Sequence, residues 1–106
     1  MTADSGHEAW TPRERRLLRA LSDAAGDLDT LRTTDSVLIT PDGIAEPGHW
    51  RERSLVREVS ISDLTVIPLG RGAELSVYRL DGPLVCSTVW QRAPSGWMAL
   101  IHQQSP

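Results

Sequence analysis

Two apolar segments near the end of the chain, separated by a turn, constrain the fold most. The first runs from residue 84 to 92 and the second from 97 to 104, with the sequence Ala-Pro-Ser-Gly at 93–96 between them. Proline, serine and glycine favour tight turns, so this stretch predicts a β-hairpin. Because each arm is apolar enough to be buried, we expect the rest of the chain to pack against this hairpin.

Two further strand-like segments precede the hairpin, at 58–68 and 73–80, and turn sequences at 70–72 and 81–83 follow them. Turns at such regular spacing predict an antiparallel meander. Several of these strands carry apolar residues on both faces, whereas a sheet with one face in water alternates more cleanly. We therefore expect the outer sheet face to be covered by a second copy of the chain, as a homodimer.

The N-terminal half begins with a helix signal. Thr11 is a suitable N-cap, Pro12 suits the first helical position, and Glu14 completes a capping box. An apolar stripe at helical spacing follows, and Gly26 ends the helix. The stripe comprises Leu17, Leu18, Leu21, Ala24 and Ala25.

A short second helix capped by Asp27 and a short strand at 37–39 lead into the meander. Helices followed by a sheet predict the α+β class, with the N-terminal helices packed in a strongly curved antiparallel sheet. We expect residues 1–10 to be a disordered polar tail and residues 11–106 to form one domain.

Composition excludes several functions. The net charge of −3 gives no indication of a nucleic-acid partner, and no apolar run is long enough to span a bilayer. The three histidines lack metal-ligand spacing, and no glycine-rich phosphate loop occurs, so we expect no metal and no cofactor. The first residues lack a secretory signal pattern, which predicts a cytoplasmic protein.

The order of motifs resembles a known superfamily. It comprises Gly26-Asp27 between two helices, Pro41-Asp42-Gly43 after a short strand, Ser87-Thr88-Val89-Trp90, then Gly96-Trp97, and His102 near the end. This order is similar to that of the nuclear transport factor 2-like superfamily, which includes SnoaL-like cyclases and ketosteroid isomerase. Within it, the chain most resembles the branch named domain of unknown function 4440.

The resemblance covers residues 12–106 and implies a cone-shaped, cystatin-like roll. In this fold a strongly bent sheet wraps the helices and leaves a pocket at its open end, and many members dimerise through the outer sheet face. The chain departs from the pattern in its short second helix, since only five residues, 32–36, separate Leu31 from the predicted first strand. The implied pocket is then shallower, or the partner subunit completes it.

Two residues are candidate catalytic bases. His102 has an ordinary pKa near neutrality and lies on the last strand, on the predicted face of Met98, Leu100 and Gln104. Asp63 is a carboxylate within a strand, and burial would raise its pKa towards that of an isomerase base. The alternatives are a packed histidine at 102 and a solvated edge-strand charge at 63.

Four aromatic residues are candidates for lining a ligand pocket: Trp50, Tyr78, Trp90 and Trp97. A tyrosine can donate a hydrogen bond to a ligand oxygen, and tryptophans can form the walls around a flat hydrophobic molecule. The alternative is that they fill the core, since the chain contains no phenylalanine.

Three functions remain open on the sequence. The first is a dimeric domain that binds a small hydrophobic molecule in an apolar pocket. The second is a cofactor-independent isomerase or cyclase of the SnoaL-like kind. The third is a structural dimerisation module, so whether the chain is an enzyme stays undecided.

Overall fold

Helix α1 occupies residues 13–22 of the computed structural model, which describes residues 13–22, 28–56, 60–80 and 84–106. Leu17, Leu18 and Leu21 are buried on one side, while the arginines at 15, 16 and 19 are exposed. This division is the amphipathic pattern that the leucine spacing predicted. The predicted helix ends at Thr11 and Gly26, the cap at Asp27 and the tail over 1–10 all lie outside the described residues.

Two hairpin strands and three short helical segments follow α1. A 3-10 turn at Leu28–Thr30 takes the place of the predicted second helix. Strand β1 spans Arg32–Thr40, and β2 spans Gly43–Ala45. The predicted strand at 37–39 is therefore the buried end of a longer strand. A second 3-10 turn at Pro47–His49 leads into the single-turn helix α2 at Trp50–Arg53.

The four predicted meander strands are all present. They are β3 at Ile61–Gly70, β4 at Ala73–Leu80, β5 at Val85–Ala93 and β6 at Gly96–Ser105. Each pairs antiparallel with the next, and the predicted hairpin at the end of the chain is β5–β6. The predicted α+β class is confirmed.

The six strands form one mixed, curved sheet in the order β2-β1-β6-β5-β4-β3. Strand β1 pairs with β6 in parallel, in contrast to the wholly antiparallel sheet that the meander predicted. Parallel neighbours need a long connection, and here the whole segment from β2 to β5 supplies it. Register shifts in the β3–β4 and β5–β6 pairs add local bends to the sheet.

The core lies between α1 and the inner face of the sheet, in two apolar clusters. Leu17 and Leu21 belong to one cluster, with Leu38, Trp50 and Trp90. The other cluster joins Leu18 to side chains of β3, β4 and β5, namely Leu64, Tyr78, Leu80 and Cys86. No helix in the described part of the chain is long and apolar enough to cross a membrane.

Replacing Leu18 tests whether α1 is anchored to the sheet. Leu18 is fully buried, so we expect Leu18→Ala to lower the free energy of unfolding by about 2–5 kcal/mol in urea titration. Leu69→Ala is the control, because Leu69 is 51% exposed on β3. It should lower the free energy of unfolding by less than about 0.5 kcal/mol. Equal losses in the two variants would contradict the described packing of α1.

Candidate functional site

A row of polar side chains crosses the middle of the inner sheet face. Ser76, Thr88 and His102 lie directly opposite one another on β4, β5 and β6, and none of the three is exposed to solvent. The same row ends at Leu38 on β1. Buried polar groups without compensation are costly, so a polar row inside the sheet calls for an explanation.

A register shift in the β5–β6 pair decides which residues share the face of His102. The pairs Val89–Ile101 and Trp90–Ala99 leave one extra residue on β6, which reverses the alternation of the strand. Ala99 therefore joins His102 on the inner face, and Met98 lies opposite the exposed Gln91. The expectation that Met98 shares the face of His102 was wrong, because simple alternation cannot reveal a bulge.

Glu14 connects α1 to this polar face. Its Oε1 accepts hydrogen bonds from the Ser76 hydroxyl and from the Trp90 indole N–H, each at 2.6 Å. The side chain is fully buried, and burial raises the pKa of its carboxyl. The second oxygen, Oε2, has no hydrogen-bond partner.

Sequence reasoning assigned Glu14 to a capping box and missed this role. The signal was its position, since residue 14 lies on the same helical face as Leu17, Leu18 and Leu21. A carboxylate on the apolar face of an amphipathic helix is rare, because burial of an unpaired charge is costly.

Arg13 lies beside Glu14 and packs on two of the predicted pocket tryptophans. Its guanidinium carbon is 4.2 Å from the ring centre of Trp90 and 5.3 Å from that of Trp97. The Arg13 Nη2 atom lies 3.6 Å from Glu14 Oε1, and its Nη1 atom lies 3.7 Å from Glu74 Oε1. Burial lowers the pKa of Arg13 to about 10, so it remains a cation near neutral pH.

His102 is held by one hydrogen bond. Its Nδ1 lies 2.7 Å from the Thr88 hydroxyl, and its Nε2 has no partner. The direction of this bond depends on the tautomer: the Thr88 hydroxyl donates to Nδ1 when the ring proton is on Nε2, and Nδ1–H donates to the hydroxyl when the proton is on Nδ1. Complete burial lowers the pKa of His102 to about 3, which keeps the imidazole neutral near pH 7.

Trp50 stacks on His102, with ring centres 6.4 Å apart and an angle of 27° between the rings. The indole is fully buried, and its N–H has no hydrogen-bond partner. Tyr78, on the neighbouring row, is 1% exposed, and its hydroxyl lies near Glu14 and Thr88 without a hydrogen bond of good geometry to either. Burial and the nearby Glu14 carboxylate both raise the pKa of Tyr78.

Among the described residues, the buried polar atoms without a hydrogen bond of good geometry include Glu14 Oε2, Tyr78 Oη, His102 Nε2 and Trp50 Nε1. Each such atom costs about 1–3 kcal/mol if it stays unsatisfied. Three of the four residues were singled out from the sequence, namely Trp50, Tyr78 and His102.

Asp63 lies apart from this group. Its side chain is 75% exposed on β3 and pairs with Arg79 at 3.6 Å. The backbone at Asp63 has a φ of 55°, at the register shift between the pairs formed by Ser62 and Thr65. Aspartate tolerates this left-handed conformation better than most residues do.

The neutral, buried state of His102 predicts a pH dependence. In the unfolded chain the imidazole takes up a proton below about pH 6.5, whereas in the folded chain it does so only near pH 3. Acidification through this window therefore favours unfolding, by up to about 1.4 kcal/mol per pH unit. In urea titrations, the free energy of unfolding of the wild type should therefore fall towards that of His102→Gln as the pH falls, by up to about 1.4 kcal/mol per pH unit.

His49 provides the matched control, because its side chain is 61% exposed. His49→Gln should follow the wild-type pH profile over the same range. The raised pKa of Glu14 acts in the opposite direction but is common to all three proteins. Parallel profiles for the wild type and His102→Gln would contradict the buried neutral imidazole.

Comparison with known proteins shows a likeness in structure. No family model matches the chain, and no curated protein matches it. A protein of unknown function in nutrient uptake from Rhodospirillum rubrum has a TM-score of 0.70 and 24% identity, covering 91% of this chain and 96% of that one.

Two further solved structures carry functional descriptions of their own. The association domain of C. elegans CaMKII has a TM-score of 0.71 at 17% identity, with 97% of each chain covered. A "putative dehydratase" from Streptomyces avermitilis has a TM-score of 0.68 at 18% identity, covering 98% of this chain and 97% of that one.

These identities are low, and they establish the fold alone. The resemblance to the superfamily is confirmed at that level, whereas the branch named domain of unknown function 4440 stays a prediction. The chain has the cystatin-like α+β fold of the nuclear transport factor 2-like superfamily, with helix α1 packed on the inner face of a curved sheet.

Proposed function

We propose that residues 11–106 form a small-molecule-binding domain that acts as a homodimer. The observation that carries the proposal is the group of four unpartnered buried polar atoms on Glu14, Trp50, Tyr78 and His102. Ligand pockets are mostly apolar and contain a few polar groups that fix the orientation of the ligand. Here the two apolar clusters flank the polar row, which suits a hydrophobic molecule with a polar group.

In this proposal His102 orients the ligand and does not act as a base. An imidazole with a pKa of about 3 is neutral near pH 7 and carries a single ring proton. In this proposal that proton is on Nε2, which then serves as a neutral hydrogen-bond donor. Tyr78 and Trp50 supply two further donors, and Trp90 and Trp97 add aromatic surface next to Arg13. Asp63 is exposed and is left out of the proposed site.

A row of aliphatic residues on the outer sheet face supports the homodimer. Five strands contribute one residue each, at directly paired positions: Ile67, Leu75, Val89, Ile101 and Val37. Ile67 is 44% exposed and the other four are half-buried, so the row offers a continuous apolar surface to a second copy. The likeness to a CaMKII association domain favours self-association.

A second candidate function is a cofactor-independent enzyme of the SnoaL-like kind. The fully buried Glu14 favours it, because a carboxyl with a raised pKa is suited to proton transfer near neutral pH. The likeness to the Streptomyces avermitilis protein agrees with this candidate.

Native mass spectrometry of the protein purified from its own host tests ligand binding. We expect a retained small molecule on the wild type and its loss from Tyr78→Phe, which removes one donor. Cys86→Ala is the matched control, since Cys86 lies opposite Tyr78 on the inner face and its thiol is inert, with a pKa raised to about 12 by burial.

An empty wild type, or equal retention in Tyr78→Phe and the wild type, would contradict the proposed site. The same preparation separates binding from catalysis. The released molecule is returned to fresh protein, and recovery of a chemically changed compound would favour the enzyme over the binding domain.

The dimer is tested by light scattering after gel filtration. We expect the wild type to have twice the 11.7 kDa mass of the chain, and Val89→Glu to be monomeric, because the change buries a charge in the centre of the interface. Arg16→Glu on the exposed side of α1 is the control and should stay dimeric. A monomeric wild type would refute the proposed interface.

A further inference from the structure

The middle of the outer sheet face carries one polar pair. The strand order β2-β1-β6-β5-β4-β3 places the centre of the sheet between β6 and β5. Gln103 on β6 lies directly opposite Ser87 on β5, and the Ser87 hydroxyl donates to Gln103 Oε1 at 2.9 Å. Both residues alternate with the buried inner pair Thr88 and His102, so this hydrogen bond bridges the two central strands on the outer face.

Apolar side chains surround this pair on four strands. The neighbouring outward positions, on β6, β5, β1 and β4, are Ile101, Val89, Ile39 and Val77. All four are half-buried and none is charged, although 24% of the chain is charged. Depletion of charge is typical of the core of a protein interface. The polar pair therefore lies in the middle of the surface that the proposed dimer covers.

The Gln103 amide has hydrogen-bonding capacity left. In the part of the chain that the structure describes, its Nε2 makes no hydrogen bond, and its Oε1 accepts only from Ser87. A primary amide has two N–H donors and two acceptor lone pairs, so two donors and one lone pair remain. Water satisfies them on a free sheet face, and that water is lost when a second sheet covers the face. The covering surface must then offer both a donor and an acceptor.

A second glutamine amide meets this requirement. In a two-fold symmetric dimer, a residue near the axis faces its own copy. Primary amides are complementary to one another, because each Nε2–H can donate to the Oε1 of the other. Sheets that pack face to face lie about 10 Å apart, a gap that two facing glutamine side chains can span. An axis through the centre of the sheet also gives the two copies their largest overlap.

We infer that Gln103 lies at the two-fold axis of the proposed homodimer and pairs there with Gln103 of the partner subunit through two reciprocal amide hydrogen bonds. The inference rests on the proposed homodimer and names the residue that determines how the two copies align. The surrounding apolar side chains provide area without direction. An amide pair is satisfied in one alignment only, as a single buried asparagine fixes the register of a coiled coil.

Opposite charges at position 103 test the pairing. At about pH 8, Gln103→Glu places two carboxylates face to face, and Gln103→Arg places two cations face to face. In analytical ultracentrifugation, we expect each variant alone to have a dimer dissociation constant at least about a hundred-fold above that of the wild type. An equimolar mixture should form a heterodimer within about ten-fold of the wild-type affinity, because a carboxylate then faces a guanidinium. Native mass spectrometry identifies the heterodimer by its mass.

Gln91 provides the matched control. It is an exposed glutamine on the outer face of β5, opposite Met98 and away from the centre of the sheet. Gln91→Glu and Gln91→Arg make the same chemical changes and should each stay within about three-fold of the wild-type dissociation constant. Circular dichroism checks that every variant keeps its fold. Gln103→Glu also gives a second measurement on its own, since two facing carboxyls can share a proton near pH 5, where its dimer should return.

Each outcome decides the inference. A monomeric wild type refutes the proposed homodimer and the amide pair together. A dimeric wild type with dimeric variants at position 103 refutes the amide pair and leaves the homodimer standing. Folded variants that stay monomeric when mixed place Gln103 in the interface but not opposite its copy, which also refutes the pair. Recovery of the dimer only in the mixture, and of the Gln103→Glu dimer near pH 5, supports the inference.

Discussion

The hydrogen bonds from Ser76 and Trp90 to Glu14 hold the helix and the sheet in one arrangement. Glu14 lies on α1, Ser76 on β4 and Trp90 on β5, so a single carboxylate oxygen joins three elements. Apolar contacts alone permit a helix to slide or rotate on a sheet, because the hydrophobic effect has no direction. Two directed bonds to one atom remove that freedom and fix which side chains face the interior.

Burial of this carboxylate has a cost that its surroundings partly offset. Desolvation raises the pKa of Glu14, while the Ser76 hydroxyl, the Trp90 indole and the Arg13 cation act against that rise. Arg13 is stabilised in turn by the face of Trp90 and by Glu74. Oε2 has no hydrogen-bond partner among the described residues, so the compensation is incomplete.

The sequence predicted the elements well and the geometry between them less well. Alternation and turn residues located the four meander strands, because those signals are local. The parallel pairing of β1 with β6 and the shift beside Ala99 depend on contacts distant in sequence, and no local pattern reports them. His102, Tyr78 and Trp50 stood out by residue type, whereas Glu14 was hidden by a plausible capping role. Only the position of Glu14 on the leucine face of α1 indicated that it is buried.

The central position of β6 has a consequence for how the chain folds. Strand β6 lies between β1 and β5. Strand β1 therefore cannot complete its pairing with β6 until the residues up to Ser105 have been synthesised. The bonds of Glu14 likewise join residues 62 and 76 positions apart. Contacts of such high sequence separation slow folding, because loop-closure entropy is lost before the contacts form. During synthesis α1 emerges long before its partners on the sheet, and the interior polar row takes shape only once β6 has joined the sheet.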